Sequence, residues 1–176
     1  KCFNIGIKIM KNKNGFALIN GPISKKHFLK NKFIGVTEYL AHKTKKVNKE
    51  VMLIYNKSLS VSPMTTHIPL KNVHKKISTS MIVYKIKTIN QFYKNKFNKT
   101  PRFAVTGLNP HCESNFNNSE ENKIIKPAIK IAQKKSLKVK GPFAADTLFI
   151  KENLKKFDVI IGMYHDQILA PLKTLF

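Results

Sequence analysis

Apolar residues along this chain fall into short continuous runs and into spaced stripes, and the two patterns predict different elements. Four continuous runs end in polar or turn clusters and read as strands. Residues 16–19 run into Asn20-Gly21-Pro22-Ile23-Ser24-Lys25. Residues 51–55 lead through a short turn to 59–62 and on to Thr65-Thr66-His67. Residues 103–108 run into Asn109-Pro110-His111, and residues 159–163 into Tyr164-His165-Asp166-Gln167.

The stripes lie between them. Ile82, Ile86, Ile89, Tyr93 and Phe97 recur at spacings of four and three, which puts them on one face of a long helix. Pro101 marks its end, because the residue before a proline is pushed out of the helical region. A second helix is expected from Asn118 or Ser119, with Glu121 in its first turn reaching back to free backbone donors. Its buried stripe is Ile124, Ile125, Ala128, Ile131 and Ala132. A shorter helix is expected between Thr37 and His42 with Tyr39 and Leu40 inward, and the first residues read as the last turns of another. Gly141-Pro142-Phe143-Ala144-Ala145-Asp146-Thr147 reads as a turn, and 115–122 as a polar loop with a helix cap. Strands alternating with helices of this length indicate an α/β fold with a largely parallel sheet.

Composition narrows the class. Of 176 residues, 42% are hydrophobic and 10% aromatic, enough for a buried core and too much for a disordered tail. One domain, or one and part of another, is expected at this length. No run approaches the roughly 20 apolar residues that would span a membrane, so no membrane partner is expected. The two cysteines lie 110 positions apart, which favours a reducing, cytoplasmic setting over a disulfide framework.

The formal charge of +24 invites a nucleic-acid reading. Its make-up argues against one. Arg102 is the one arginine and every other cation is a lysine, so the planar guanidinium fork that reads base edges is nearly missing. The lysines are scattered through every segment. A solvated lysine surface that attracts small phosphorylated ligands is the preferred reading, with no nucleic-acid partner.

Candidate chemistry gathers at the strand exits, where ligands of open α/β sheets bind. His111 and His165 each follow a strand. If those strands are neighbours, the imidazoles could converge on one divalent cation, with Asp166 fixing a tautomer from behind. Each histidine also reads as the cap of a turn, and both readings stand. His67 could touch a ligand or be an ordinary loop histidine. His27, His42 and His74 lie in lysine-rich or polar stretches and read as solvated. Cys112, without a second cysteine nearby, reads as inert. Asp146 is either a helix cap or a carboxylate facing the same crevice. Neither a Gly-x-Gly-x-x-Gly nor a Walker-type loop is present.

Three stretches are specific in combination: Gly107-Leu108-Asn109-Pro110-His111, the 141–149 segment GPFAADTLF, and Met163-Tyr164-His165-Asp166-Gln167. They closely resemble signature stretches of the 4-hydroxythreonine-4-phosphate dehydrogenase family, in that family's order. The 20–25, 35–41 and 65–70 segments extend the likeness, so that residues 1–176 look like the central half of a family member. The resemblance implies a three-layer α/β/α fold like that of isocitrate and isopropylmalate dehydrogenases, incomplete at both ends. It implies a homodimer with each active site at the interface. It implies oxidation of the secondary alcohol of 4-phosphooxy-L-threonine by NAD, the 3-oxo acid product then decarboxylating, in pyridoxal phosphate biosynthesis.

The family holds a divalent metal (Zn, Mg or Mn) on three histidines. His111 and His165 match two of them, Lys173 matches a lysine that binds the phosphorylated substrate, and Asp146 and Asp166 match aspartates near the metal that act as hydrogen-bond partners or proton carriers. The third histidine is expected in a Gly-His-Thr-Glu stretch whose place here is taken by Val36, with Glu38 or His27 as possible substitutes. Cys112 and Glu113 stand where the family has Ala-Gly. On this reading the chain by itself is unable to turn over. A sister dehydrogenase acting on a four-carbon sugar acid phosphate and a basic nucleic-acid-binding protein are the alternatives.

Overall fold

A computed structural model describes residues 2–29, 32–33, 35–112 and 117–175. Glu113, residues 115–116 of the expected polar loop, and the terminal residues 1 and 176 lie outside the described residues. The chain divides into two compact units, Lys1–Glu50 and Val51–Phe176.

The first unit is helical, with α1 (Cys2–Lys11), α2 (Lys25–Leu29) and α3 (Val36–Lys43). Aromatic rings make its centre: Phe28 lies 4.8 Å from Phe3 and 5.0 Å from Tyr39, and Phe33 lies 5.5 Å from Tyr39. The expected short helix is therefore α3, with Tyr39 inward. The strand expected at 16–19 does not form. Phe16 and Ile19 are 92% and 91% exposed, and the described residues of this unit include no strand that could pair with the segment. An apolar run needs a ladder to become a strand, and none is offered.

The second unit carries the sheet. Its elements are β1 (Ser60–Pro63), α4 (Val73–Lys76), α5 (Thr79–Phe97), β2 (Phe103–Thr106), a π-helical turn (Glu121–Ile125) continuing into α6 (Lys126–Lys134), β3 (Val139–Phe143), α7 (Ala145–Leu148), α8 (Lys151–Leu154), β4 (Val159–Gly162) and α9 (His165–Leu175). The four strands are parallel in the order β1-β4-β2-β3, so the last strand enters between the first two. Every residue of β1, β2 and β4 is buried, as expected of a parallel sheet covered on both faces.

The side-chain alternation builds three layers. Phe103, Val105, Val159 and Ile161 face α5 and α6, packing with Ile82, Ile86, Ile89, Ile125, Ala128 and Ala132. Val61, Ala104 and Ile160 face the other way, against Leu148, Ile168, Leu169 and Leu172 of α7 and α9. The α/β/α expectation is met in this unit.

Four details differ from expectation. Residues 51–55 contribute only an antiparallel bridge between Ile54 and Val61. β3 was hidden by its Gly141-Pro142, which reads as a turn; a proline is tolerated because β3 is an edge strand. Gly141 takes φ +139°, and a side chain there would run into the Val105 carbonyl. α5 stops three residues before Pro101, at Asn98, whose left-handed conformation (φ 49°) closes the helix. The buried stripe of α6 includes Ile129 in place of Ile131, which is 39% exposed.

Below the sheet, Asp158 ties the start of β4 to that of β2. Its carboxylate accepts from Arg102 N (2.8 Å), Arg102 Nε (3.1 Å) and Lys99 Nζ (2.8 Å). Burial alone would raise its pKa; the Arg102 and Lys99 donors outweigh that and hold it down at about 2. The carboxylate therefore stabilises the fold fully above pH 3.8, its ordinary value, and progressively less as pH falls toward about 2. Asp158→Asn should cost about 1 kcal/mol at neutral pH, because both cations are half exposed and screened. It should also flatten the acid limb of a stability-against-pH curve, which urea unfolding between pH 2 and 7 would read.

Candidate active site

In a parallel sheet all carboxyl ends lie on one edge, and the strand order decides which exits are neighbours. Here β4 is hydrogen-bonded to β1 on one side and to β2 on the other, with β3 beyond β2. Along that edge the exits carry His67 (after β1), His165 (after β4), His111 (after β2) and Asp146 (after β3). The condition set by the sequence, that the strands before His111 and His165 be adjacent, is met.

Each of those two imidazoles has a carboxylate at Nδ1. His165 Nδ1 lies 2.7 Å from Asp166 Oδ1, and His111 Nδ1 lies 3.9 Å from Asp146 Oδ2. The first is a hydrogen bond and the second is too long for one. Asp146 does not cap α7, whose N-cap is Ala144; its other oxygen accepts from Thr147 N. At His165 the bond leaves Nε2 as the nitrogen for another ligand, the arrangement in which a carboxylate orients a metal-binding histidine. Among the described residues, no group of three or more His, Cys, Asp or Glu side chains comes together closely enough to hold a metal ion.

His111 is held by what surrounds it. It has φ 55° and Cys112 φ 54°, two consecutive non-glycine residues in the left-handed region. Such a conformation costs on the order of 1–3 kcal/mol per residue and persists only where neighbours impose it. Glu121 pins the start of the same loop, upstream of these two residues. Fully buried, it accepts from Leu108 N (2.8 Å), Asn109 N (2.9 Å) and Asn109 Nδ2 (3.0 Å). Burial would raise its pKa, but the donors of Asn109 and Leu108 outweigh it and hold the carboxyl below its ordinary value. Glu121 therefore clamps the loop that follows β2 as well as opening its own helix. A glutamate in phase with Ile125, Ala128 and Ala132 was the available sequence signal, since an acid on a buried stripe needs partners.

A second clamp is Gln167. Its Oε1 accepts from Thr106 Oγ1 (2.8 Å) and Met163 N (2.7 Å), and its Nε2 donates to Gly107 O (2.8 Å). The β1 exit is tied to β4 in turn, by Thr65 Oγ1 to Met163 O (2.8 Å) and Met64 N to Gly162 O (2.7 Å). The buried Lys85 Nζ donates to the last carbonyl of β1, that of Pro63. Burial pushes the Cys112 thiol up, in keeping with an inert cysteine.

The remaining candidates are not brought to this edge within the unit. Lys173 is exposed in the last turn of α9, eight residues and so about 12 Å along the helix axis from His165. Val36 and Glu38 lie in α3 and His27 in α2, all in the first unit. Arg102 is engaged by Asp158 at the opposite edge of the sheet. No helix among the described residues is long and apolar enough to cross a membrane.

The second unit is thus a three-layer parallel α/β sheet with histidine–aspartate pairs on adjacent strand exits. The sequence model of one family, the Pyridoxal phosphate biosynthetic protein PdxA, matches residues 1–176, and the chain belongs to that family. A 4-hydroxythreonine-4-phosphate dehydrogenase of Sulfurihydrogenibium is 39% identical over 173 residues, covering 96% of this chain and 53% of the relative. One from Wigglesworthia glossinidia brevipalpis is 40% identical over 169 residues, covering 93% and 50%. The crystal structure of the enzyme of that name from Klebsiella pneumoniae superposes with a TM-score of 0.76 at 34% identity, over 88% of this chain and 48% of that one. The chain thus spans about half the length of the curated relatives it matches.

Proposed function

We propose that the chain is part of an NAD-dependent dehydrogenase that oxidises the secondary alcohol of 4-phosphooxy-L-threonine, in the cytoplasmic synthesis of pyridoxal phosphate. Family membership across the whole chain carries this reading. The names of its relatives agree with it. In the reaction the carbinol C–H leaves as hydride to NAD⁺, the hydroxyl proton passes to a base, and the resulting 3-oxo acid loses carbon dioxide.

The donor set at the carboxyl edge fits a divalent cation. His111 and His165 would hold it, His165 through Nε2 with Asp166 orienting its ring, and Asp146 and Asp166 would receive the alcohol proton. His67, at the neighbouring exit of β1, would be the third imidazole, the role that Val36 cannot fill. Because one chain brings no three such groups together among its described residues, the set would be completed across a homodimer interface. Zn²⁺, Mg²⁺ or Mn²⁺ bound there supplies Lewis acidity that eases ionisation of the alcohol. Lys173, a compact exposed cation, suits the substrate phosphate.

The test is reduction of NAD⁺ by the full-length protein, followed by absorbance, with 4-phosphooxy-L-threonine and a four-carbon sugar acid phosphate compared as substrates. Preference for the phosphorylated amino acid is expected, and preference for the sugar acid would overturn the substrate assignment.

A further inference from the structure

We infer that Gln167 is a positioning residue that sets the spacing between the loop bearing His111 and the helix bearing His165; its part in cation binding rests on the function proposed above. The observation is where the sheet stops. β2 and β4 pair in register from Phe103↔Val159 to Val105↔Ile161. One rung further on, the two chains part, β2 toward His111 and β4 into α9. At that rung the Gln167 carboxamide stands in for the missing strand pairing. It takes the Met163 N–H and the Thr106 hydroxyl on its oxygen and gives its N–H to the Gly107 carbonyl. Gly107 N is meanwhile bound to Phe143 O of β3 at 2.9 Å. Gly107, at the root of the His111 loop, is thus fixed from both sides, and one of those sides is a side chain two residues after His165.

The chemistry demands an amide. The site offers two donors to one atom and one acceptor to the other, and a carboxamide of this length supplies both. A carboxylate would set an oxygen against the Gly107 carbonyl, and a thioether would leave three polar groups without their partner. Gly162 belongs to the same device. A Cβ there would overlap Ile168 Cγ2 and stand 3.2 Å from Gln167 Oε1, so the missing side chain lets α9 begin close enough for Gln167 to reach.

The test compares Gln167→Met, Gln167→Glu, Thr106→Val and Thr106→Ser with the unaltered protein. It uses two readouts well below the unfolding temperature: Co²⁺ affinity from its visible absorption, and the imidazole NMR resonances of His111 and His165 without metal. The Gln167 variants are expected to bind Co²⁺ about 10- to 100-fold more weakly, the usual cost of losing support behind a metal ligand. They should also move both sets of imidazole resonances. Thr106→Val should do the same to a smaller extent, and Thr106→Ser, which keeps the hydroxyl, should behave as the unaltered protein. A lowered unfolding temperature with unchanged Co²⁺ affinity and unmoved imidazoles would overturn the inference and leave Gln167 a structural residue only. If the unaltered protein takes up no Co²⁺ but the imidazoles still move, the cation reading fails and the positioning role stands. If neither Gln167 variant folds, the Thr106 pair decides by the same criteria.

Discussion

Replacing His165 with alanine is expected to weaken divalent-cation binding at least about a hundredfold, roughly 2.7 kcal/mol, while leaving the fold in place. The ring is partly exposed and hydrogen-bonds the exposed neighbouring Asp166, so its removal opens no core cavity. His111→Ala should act in the same direction and with equal tolerance, since that side chain is 73% exposed. Isothermal titration with Mn²⁺ or Zn²⁺, paired with a thermal melt, separates the two quantities. Weaker binding with an unchanged melt is the expected pattern. Unchanged binding in both variants would remove these rings from the site.

Glu121→Ala should have the opposite signature, a large loss of stability. It strips the acceptor from the Leu108 and Asn109 backbone N–H groups and from the Asn109 amide, and it empties a fully buried position. Leaving several donors unpaired in the interior costs about 3–4 kcal/mol. At this chain length that corresponds to a fall of about 10 °C in melting temperature. Glu121→Gln keeps one acceptor oxygen and should cost less. The pH dependence has a definite sign. The folded-state pKa lies below the ordinary 4.5, so the contribution is complete above pH 4.5 and disappears as pH falls through the lowered value. Differential scanning calorimetry at several pH values would show the difference between native protein and Glu121→Gln shrinking on acidification. Because Glu121 also pins Leu108 and Asn109, at the start of the loop leading to His111, Glu121→Gln should weaken cation binding as well.

Much of the framework was legible in the sequence. The stripe of Ile82, Ile86, Ile89 and Tyr93 gave α5, and the continuous runs at 103–108 and 159–163 gave β2 and β4, because buried parallel strands show no alternation. The same rule misfired at 16–19, where the run found no ladder, and missed β3, where Gly141-Pro142 masked an edge strand. Two features of the site were not local properties at all. The order of the exits along the edge depends on β4 inserting between β1 and β2, which no window of sequence records. Glu121 looked like a helix cap because its partners, Leu108 and Asn109, belong to a loop that only the tertiary fold brings over it. Gln167 was visible as part of a motif, but its role depends on a rung of the sheet formed by residues about 60 positions earlier.

Imidazoles from neighbouring strand exits are expected to share one cation. Titrating the protein with Mn²⁺ while following its histidine ring resonances tests it directly, since the ion broadens only the rings close to it. His67, His111 and His165 should broaden together along a single binding curve, with His27, His42 and His74 staying sharp. Rings that broaden at separate Mn²⁺ concentrations, or a His111 or His165 that stays sharp at saturation, would contradict it.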